Sequence, residues 1–274
     1  MRQKNSIGLS PEKAKNKMKK LMFAASAALL ASAGFGEITS ANIVGYAKKD
    51  ARADLNWYAP QFQSIGKNTI DIQSITLDDN GEGNVGYGDM MQIVGPGGNP
   101  EGGYAFWASF MAPEGVVVES DFYWANDDMT PASVAFDKGD GIAVDNANAY
   151  EMKIANAGEV IKGEVSFAAR ADLNWTGNPF SAPISIQAIT LDDGGSGDVG
   201  YGDMMQIVGP GGNPEGGYAF WASFMAPEGV VVEGDFYWAN DDMTPSTHVF
   251  QPGDGFAIDN ANAYTFDIKI ACPY

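Results

Sequence analysis

The sequence predicts an all-β chain: two tandem antiparallel β-sandwich units, jelly-roll-like, after a signal peptide. Three observations predict it. The chain repeats itself almost letter for letter. Short β-branched and aromatic runs alternate with clusters of Gly, Pro, Asn and Asp. No long stretch places apolar residues at i, i+3, i+4 and i+7, as an amphipathic helix would.

The repeat governs the reading of everything else. Ala51-Arg52-Ala53-Asp54-Leu55-Asn56-Trp57 recurs at 169–175. Val85–Glu119 is identical to Val199–Glu233, and Asp121–Pro131 to Asp235–Pro245. The copies also close alike, at 139–150 and 253–264. Each copy is about 105 residues, an ordinary size for an independent domain. The expected organisation is a signal peptide with an N-terminal extension over 1–36, a first sandwich over 37–157 and a second over 158–274. Residues 155–167 read as the last strand of copy one and a short connector.

The export signal rests on residues 18–36. Lys19 and Lys20 precede an apolar run, Leu21–Leu30, and the small residues Ala31-Ser32-Ala33 come next as a cleavage site. The run is too short to span a bilayer as a helix, and no later segment is apolar enough to do so. The expected location is extracellular, cell-surface or periplasmic.

Charge narrows the partners. Of 16 basic and 35 acidic residues, seven basic and one acidic lie in the first twenty. The remainder carries nine basic and 34 acidic residues, a formal charge of −25. Such a surface repels phosphate backbones, so nucleic acid is not an expected partner. It favours solubility and attracts cations. The single cysteine, Cys272, excludes an intrachain disulfide.

Within copy one, strands are expected over 70–77, 90–94, 104–111, 115–119, 121–124, 141–144 and 150–154. In the run 104–111 a strand puts Tyr104, Phe106, Ala108 and Phe110 on one face and Trp107 on the other. The aromatic face is expected to fill the core.

Copy two opens D-L-N-W-T-G-N-P-F (172–180) and closes P-G-D-G-F-A-I (252–258). This pattern resembles secreted bacterial β-sandwich repeat modules of the W-N…G-N-P-F…P-G-x-G-F type, found in exported envelope and surface proteins. The segment S-A-N-I-V-G-Y (40–46) is similar to the opening of short exported repeat proteins of envelope-rich bacteria. The resemblance implies a non-catalytic module. The chain departs from the pattern at Tyr58–Phe62, and it carries Ala143 and Ala257 where those modules have Trp.

Few residues suggest catalysis. His248 is the only histidine, and Val134 stands at its place in copy one, so a duplicated Ser–His–Asp device or zinc site is not expected. Glu101, Glu114, Glu119, Glu215, Glu228 and Glu233 supply the carboxylates that glycosidase chemistry uses, but read equally as an acidic surface. The glycine loop 95–103 lacks the G-K-[ST] of a phosphate cradle. The loop 78–89 alternates Asp78, Asn80, Glu82 and Asn84 and closes on Asp89; its counterpart keeps Asp192, Asp198 and Asp203. The outline fits a calcium site, and it also fits hairpin turns built from Asp and Gly. Trp107, Tyr123 and Trp124, with Trp221, Tyr237 and Trp238, are candidates for stacking on sugar rings or for the core.

The expectation is therefore a non-enzymatic secreted or envelope protein of structural or adhesive role. It would associate with itself or with other envelope components and need no cofactor. The alternative is a tandem carbohydrate-binding module for polysaccharide, with calcium assisting.

Overall fold

The computed structural model describes residues 44–94, 100–146, 150–208, 214–260 and 262–274. The expected signal peptide lies outside them. The described chain is nearly all strand, as expected, and its sheets are antiparallel throughout.

Copy one contains β1 (Val44–Ala51), β2 (Asp54–Tyr58), β3 (Phe62–Gln63), β4 (Ile70–Asp71), β5 (Ile75–Asp78), β6 (Tyr87–Val94), β7 (Pro100–Ala108), β8 (Phe122–Ala125), β9 (Ala135–Phe136), β10 (Ile142–Asn146) and β11 (Met152–Val160). Copy two contains β12 (Val165–Ala168), β13 (Asp172–Gly177), β14 (Ile184–Ser185), β15 (Ile189–Asp192), β16 (Tyr201–Val208), β17 (Pro214–Ala222), β18 (Phe236–Ala239), β19 (Val249–Phe250), β20 (Gly255–Asn260) and β21 (Asp267–Ile270). Each copy builds one five-stranded sheet, in the order β2-β10-β6-β7-β8 or β13-β20-β16-β17-β18. The partner sheet is β1-β11-β3 with β5 also on β11 in copy one, and β12-β21-β15 in copy two.

Side chains of both sheets meet in the core. Trp124 is fully buried and donates its indole N–H to the carbonyl of Ile75, 2.6 Å away. Trp238 repeats this with Ile189 at 2.7 Å. The bond ties β8 to the strand across the core and satisfies the one polar atom of a large apolar side chain. Gln73 locks the same corner by donating to the carbonyls of Trp124 and Ala132 while accepting from the Trp124 N–H.

Two sequence expectations need correcting. The strand through the aromatic run stops at Ala108, and Ser109–Met111 form a 3-10 turn. That turn breaks the alternation of faces, so Phe110 is 76% exposed rather than in the core. The valines at 115–119 form no strand. Gly115 takes a φ of +87° in a turn closed by Val116 N–H on the Pro113 carbonyl, and Val117 is exposed. Among the described residues, one cluster of buried side chains runs through both copies, from Tyr58 to Ile270. The boundary drawn at 157/158 falls inside β11, because Glu159 and Val160 still pair with Gln63 and Phe62.

The seam between copies has the reciprocity of a two-fold interface, in which each partner offers the same patch. Trp57 and Trp175, which occupy equivalent positions, stack on one another. Gly141 N–H donates to Trp175 O at 3.1 Å, and Ala59 N–H to Gly253 O at 3.2 Å. Both equivalent glycines sit against the other copy's backbone. A Cβ on Gly141 would lie 2.9 Å from Thr176 N, and one on Gly255 2.9 Å from the Trp57 carbonyl carbon. Ala143 pairs with Trp57 and is buried beside it, while Ala257 pairs with Trp175.

Candidate functional site

The structure divides the six aromatic candidates. Trp124 and Trp238 are fully buried, and Tyr123 and Tyr237 are buried with their hydroxyls donating to the carbonyls of Met129 and Met243. Those four are core residues and present no ring face outward. Trp107 and Trp221 are half-buried on the outer face of the five-stranded sheets.

The neighbouring strand makes the seat of Trp107. Gly88 takes a φ of +99° beside a bulge between Tyr87 and Asp89, and a Cβ there would lie 3.3 Å from the indole. Only glycine adopts that backbone readily and lets a ring lie this close. The bulge also turns Tyr87, the cross-strand partner of Trp107, to the outside, where it is 58% exposed. Phe110 completes the patch, its ring set edge-on to Tyr87 at 6.4 Å. Copy two repeats it with Tyr201, Trp221 and Phe224, the Tyr–Phe distance being 6.5 Å. The exposures match too, at 58% for each tyrosine and 76% for each phenylalanine. Sequence reasoning missed Tyr87 and Tyr201; the Gly-Tyr-Gly context was the available signal.

The acidic loops are organised from within. Asp79, not among the sequence candidates, is buried and accepts backbone N–H groups of Gly81, Asn84 and Val85. Asp193 does the same for Gly195, Asp198 and Val199. Burial alone would raise both carboxyls, but these donors hold them low, Asp193 at about 2. Asp78 pairs with Lys48 and accepts from Asn80 N–H, while Asp192 pairs with Lys269. Asn84 donates to Glu82, and Ser196 to Asp198. Asp89 and Asp203 accept from the N–H groups of Gly86 and Gly200. Asn80 sits in a left-handed turn with φ +61°. Among the described residues, no three His, Cys, Asp or Glu side chains converge as a metal group.

Comparison with protein-family models, curated proteins and solved structures gave no match. The reading of the site therefore rests on its geometry.

Two further clefts flank the seam. One, about 280 Å³, is lined by Lys49, Arg52 and Trp57 of copy one and His248, Phe250 and Asp254 of copy two. The other, about 260 Å³, takes Arg170, Trp175 and Phe167 from copy two and Phe136, Asp137 and Asp140 from copy one. In the first, Lys49 pairs with Asp254 across the seam at 2.5 Å. His248 packs between Tyr218 and Phe250, and burial holds its imidazole below the usual range. In the second, burial pushes the Asp140 carboxyl up, with the Asp137 carboxylate adding and Arg170 opposing. Of the carboxylates considered for glycosidase chemistry, Glu114, Glu119, Glu228 and Glu233 are exposed side chains. Among the described residues no helix is long and apolar enough to cross a membrane.

Proposed function

We propose that this chain is a non-catalytic, exported adhesive protein of the cell envelope or its surroundings, whose two copies each present an aromatic patch to a partner surface. The observation that carries the reading is the recurrence of Tyr87, Trp107 and Phe110 as Tyr201, Trp221 and Phe224, with matching exposures. Large rings left outside a well-filled core are the usual mark of a contact surface. The fused seam supports a bivalent use, since a second contact by the same chain is intramolecular and raises avidity about 10²–10⁴-fold when both sites engage.

A second reading, binding to polysaccharide, is favoured by the half-buried indole of Trp107, packed against Gly88 on the outer face of the sheet. A half-open indole is the kind of side chain on which the C–H face of a pyranose stacks. Calcium remains an auxiliary of that reading only, since the loop carboxylates already hold backbone donors.

The test is retention of the exported protein on whole cells and on a glycan array. Trp107→Ala with Trp221→Ala should abolish retention while far-UV circular dichroism and melting temperature stay near the parent's. Either single variant should lose most of the avidity. Undiminished retention of the double variant would sink the proposal. Retention on cells without any glycan signal would leave the adhesive reading and remove the polysaccharide one.

A further inference from the structure

We propose that copy two carries a site for a single amine-bearing sugar ring, in the cavity of about 250 Å³ bordered by Tyr201, Tyr264, Asp198, Asp203 and Asp259. Two kinds of surface meet there. Tyr201 and Tyr264 are 58% and 37% exposed, so both rings are open to a ligand. Facing the same space are three carboxylates, and among the described residues none of the three pairs with a lysine or arginine. Asp203 accepts the Gly200 N–H on Oδ2, and Asp198 accepts the Ser196 hydroxyl on Oδ2. Each keeps a second oxygen with acceptor capacity. The sister copy shows what such an oxygen takes. Tyr150, the equivalent of Tyr264, donates its hydroxyl to Oδ1 of Asp89, the equivalent of Asp203. A hydroxyl carried on a ring is therefore already a partner of this acid in copy one. In copy two the same acid borders the cavity instead.

The lining selects the ligand. Sugar hydroxyls donate to carboxylates, and the C–H face of the ring lies on tyrosine. A neutral sugar would leave three like charges together in a chain whose formal charge beyond residue 20 is −25. A protonated amine on the ring offsets them and is also attracted to a tyrosine face. An inorganic cation would give the two rings no role. The acids also surround the cavity without converging on one point, since no three such side chains form a metal group among the described residues. The volume is below the roughly 300–1,000 Å³ of sites for drug-sized molecules and suits one ring. The proposal does not rest on the adhesive reading. Tyr201 borders both the cavity and the outer patch, so the test leaves Tyr201 and Trp221 untouched.

The experiment titrates the full chain with glucosamine, N-acetylglucosamine, glucose, ethylamine and calcium chloride, by calorimetry and ligand-observed NMR. Glucosamine should bind saturably, with Kd in the millimolar range usual for a ligand of so few atoms. N-acetylglucosamine and glucose keep the ring but lack the charge, and ethylamine keeps the charge but lacks the ring. Each should bind at least tenfold more weakly. Asp198→Asn with Asp259→Asn should weaken glucosamine at least tenfold while the melting temperature stays near the parent's. Asp145 stands at the place of Asp259 in copy one, so Asp145→Asn should leave binding unchanged. Absence of saturable glucosamine binding overturns the proposal. So does equal binding of N-acetylglucosamine or of ethylamine, binding of calcium without glucosamine, or glucosamine binding that survives the double aspartate variant. Loss of cell retention in the outer tryptophan variants is a separate result, so this proposal and the adhesive reading fail independently.

Discussion

The two copies share every residue from Val85 to Glu119 with Val199 to Glu233, yet the acid that closes each loop meets a different neighbour. In copy one the Tyr150 hydroxyl donates to Asp89. In copy two the equivalent Tyr264 is 37% exposed, and a cavity of about 250 Å³ opens among Asp198, Asp203, Asp259 and Tyr264. The residues leading to the two tyrosines are nearly the same, and Asn146 and Asn260 both donate to the tyrosine carbonyl. Two positions beyond each tyrosine the buried side chain changes: Met152 in copy one, the bulkier Phe266 in copy two. The strands differ too, β11 pairing with β1 over eight residues and β21 with β12 over only four. Identical segments give identical structure only where their partners are identical too. The aromatic patches meet that condition; the Tyr150 and Tyr264 environments do not.

The sharpest way to break this comparison is at the core. Trp124→Ala and Trp238→Ala should each cost about 3–5 kcal/mol, the usual loss for a buried Trp truncated to Ala. Urea unfolding should give the two variants equal values in a single transition, since one core cluster runs through both copies. Two resolved transitions would show that the copies unfold independently.

A smaller effect is expected in the loops. Asp79→Asn and Asp193→Asn each remove a charged acceptor of three backbone donors and should cost about 1–3 kcal/mol. Both carboxyls lie below their ordinary value in the folded chain. Their stabilisation is therefore complete above the unfolded carboxyl range and is lost as pH falls through it, for Asp193 down to about 2. Melting temperature measured from neutral pH to pH 2 should fall less steeply in Asp193→Asn than in the parent. An unchanged acid slope would contradict the role given to that carboxylate.

The smallest effect bears most directly on the difference between copies. Tyr150→Phe should cost about 0.5–1.5 kcal/mol for the lost hydrogen bond, and Tyr264→Phe close to nothing. Chemical denaturation of the two variants side by side measures this. Equal costs would mean that the two tyrosines are equivalent in solution.

Much of the fold could be read from residue order. The runs 90–94 and 104–108, read as strands, lie in β6 and β7. The errors have local causes. Gly-Val-Val-Val at 115–118 has strand propensity but no neighbouring strand to pair with, and β-propensity expresses packing context more than backbone preference. Phe110 left the core because a 3-10 turn changed the period from two residues to three. For the outer patch, Trp107 was named from sequence, while Tyr87 needed the bulge to bring it outward. The buried Asp79 was hidden because adjacent Asp78 and Asp79 look alike in a sequence, although one pairs with Lys48 and the other caps the loop.

By itself the sequence determined that the chain is β throughout, that its architecture is written twice, and that acidic residues cover it. These features come from local period, turn chemistry and composition, which act between near neighbours. Only the tertiary structure decided that the copies share one core, that Trp57 stacks on Trp175, and that Arg52 comes to the same cleft as Asp254. Those contacts join residues more than a hundred positions apart, and they are set by which faces of the folded sheets remain to be buried. No local pattern in the chain encodes that choice.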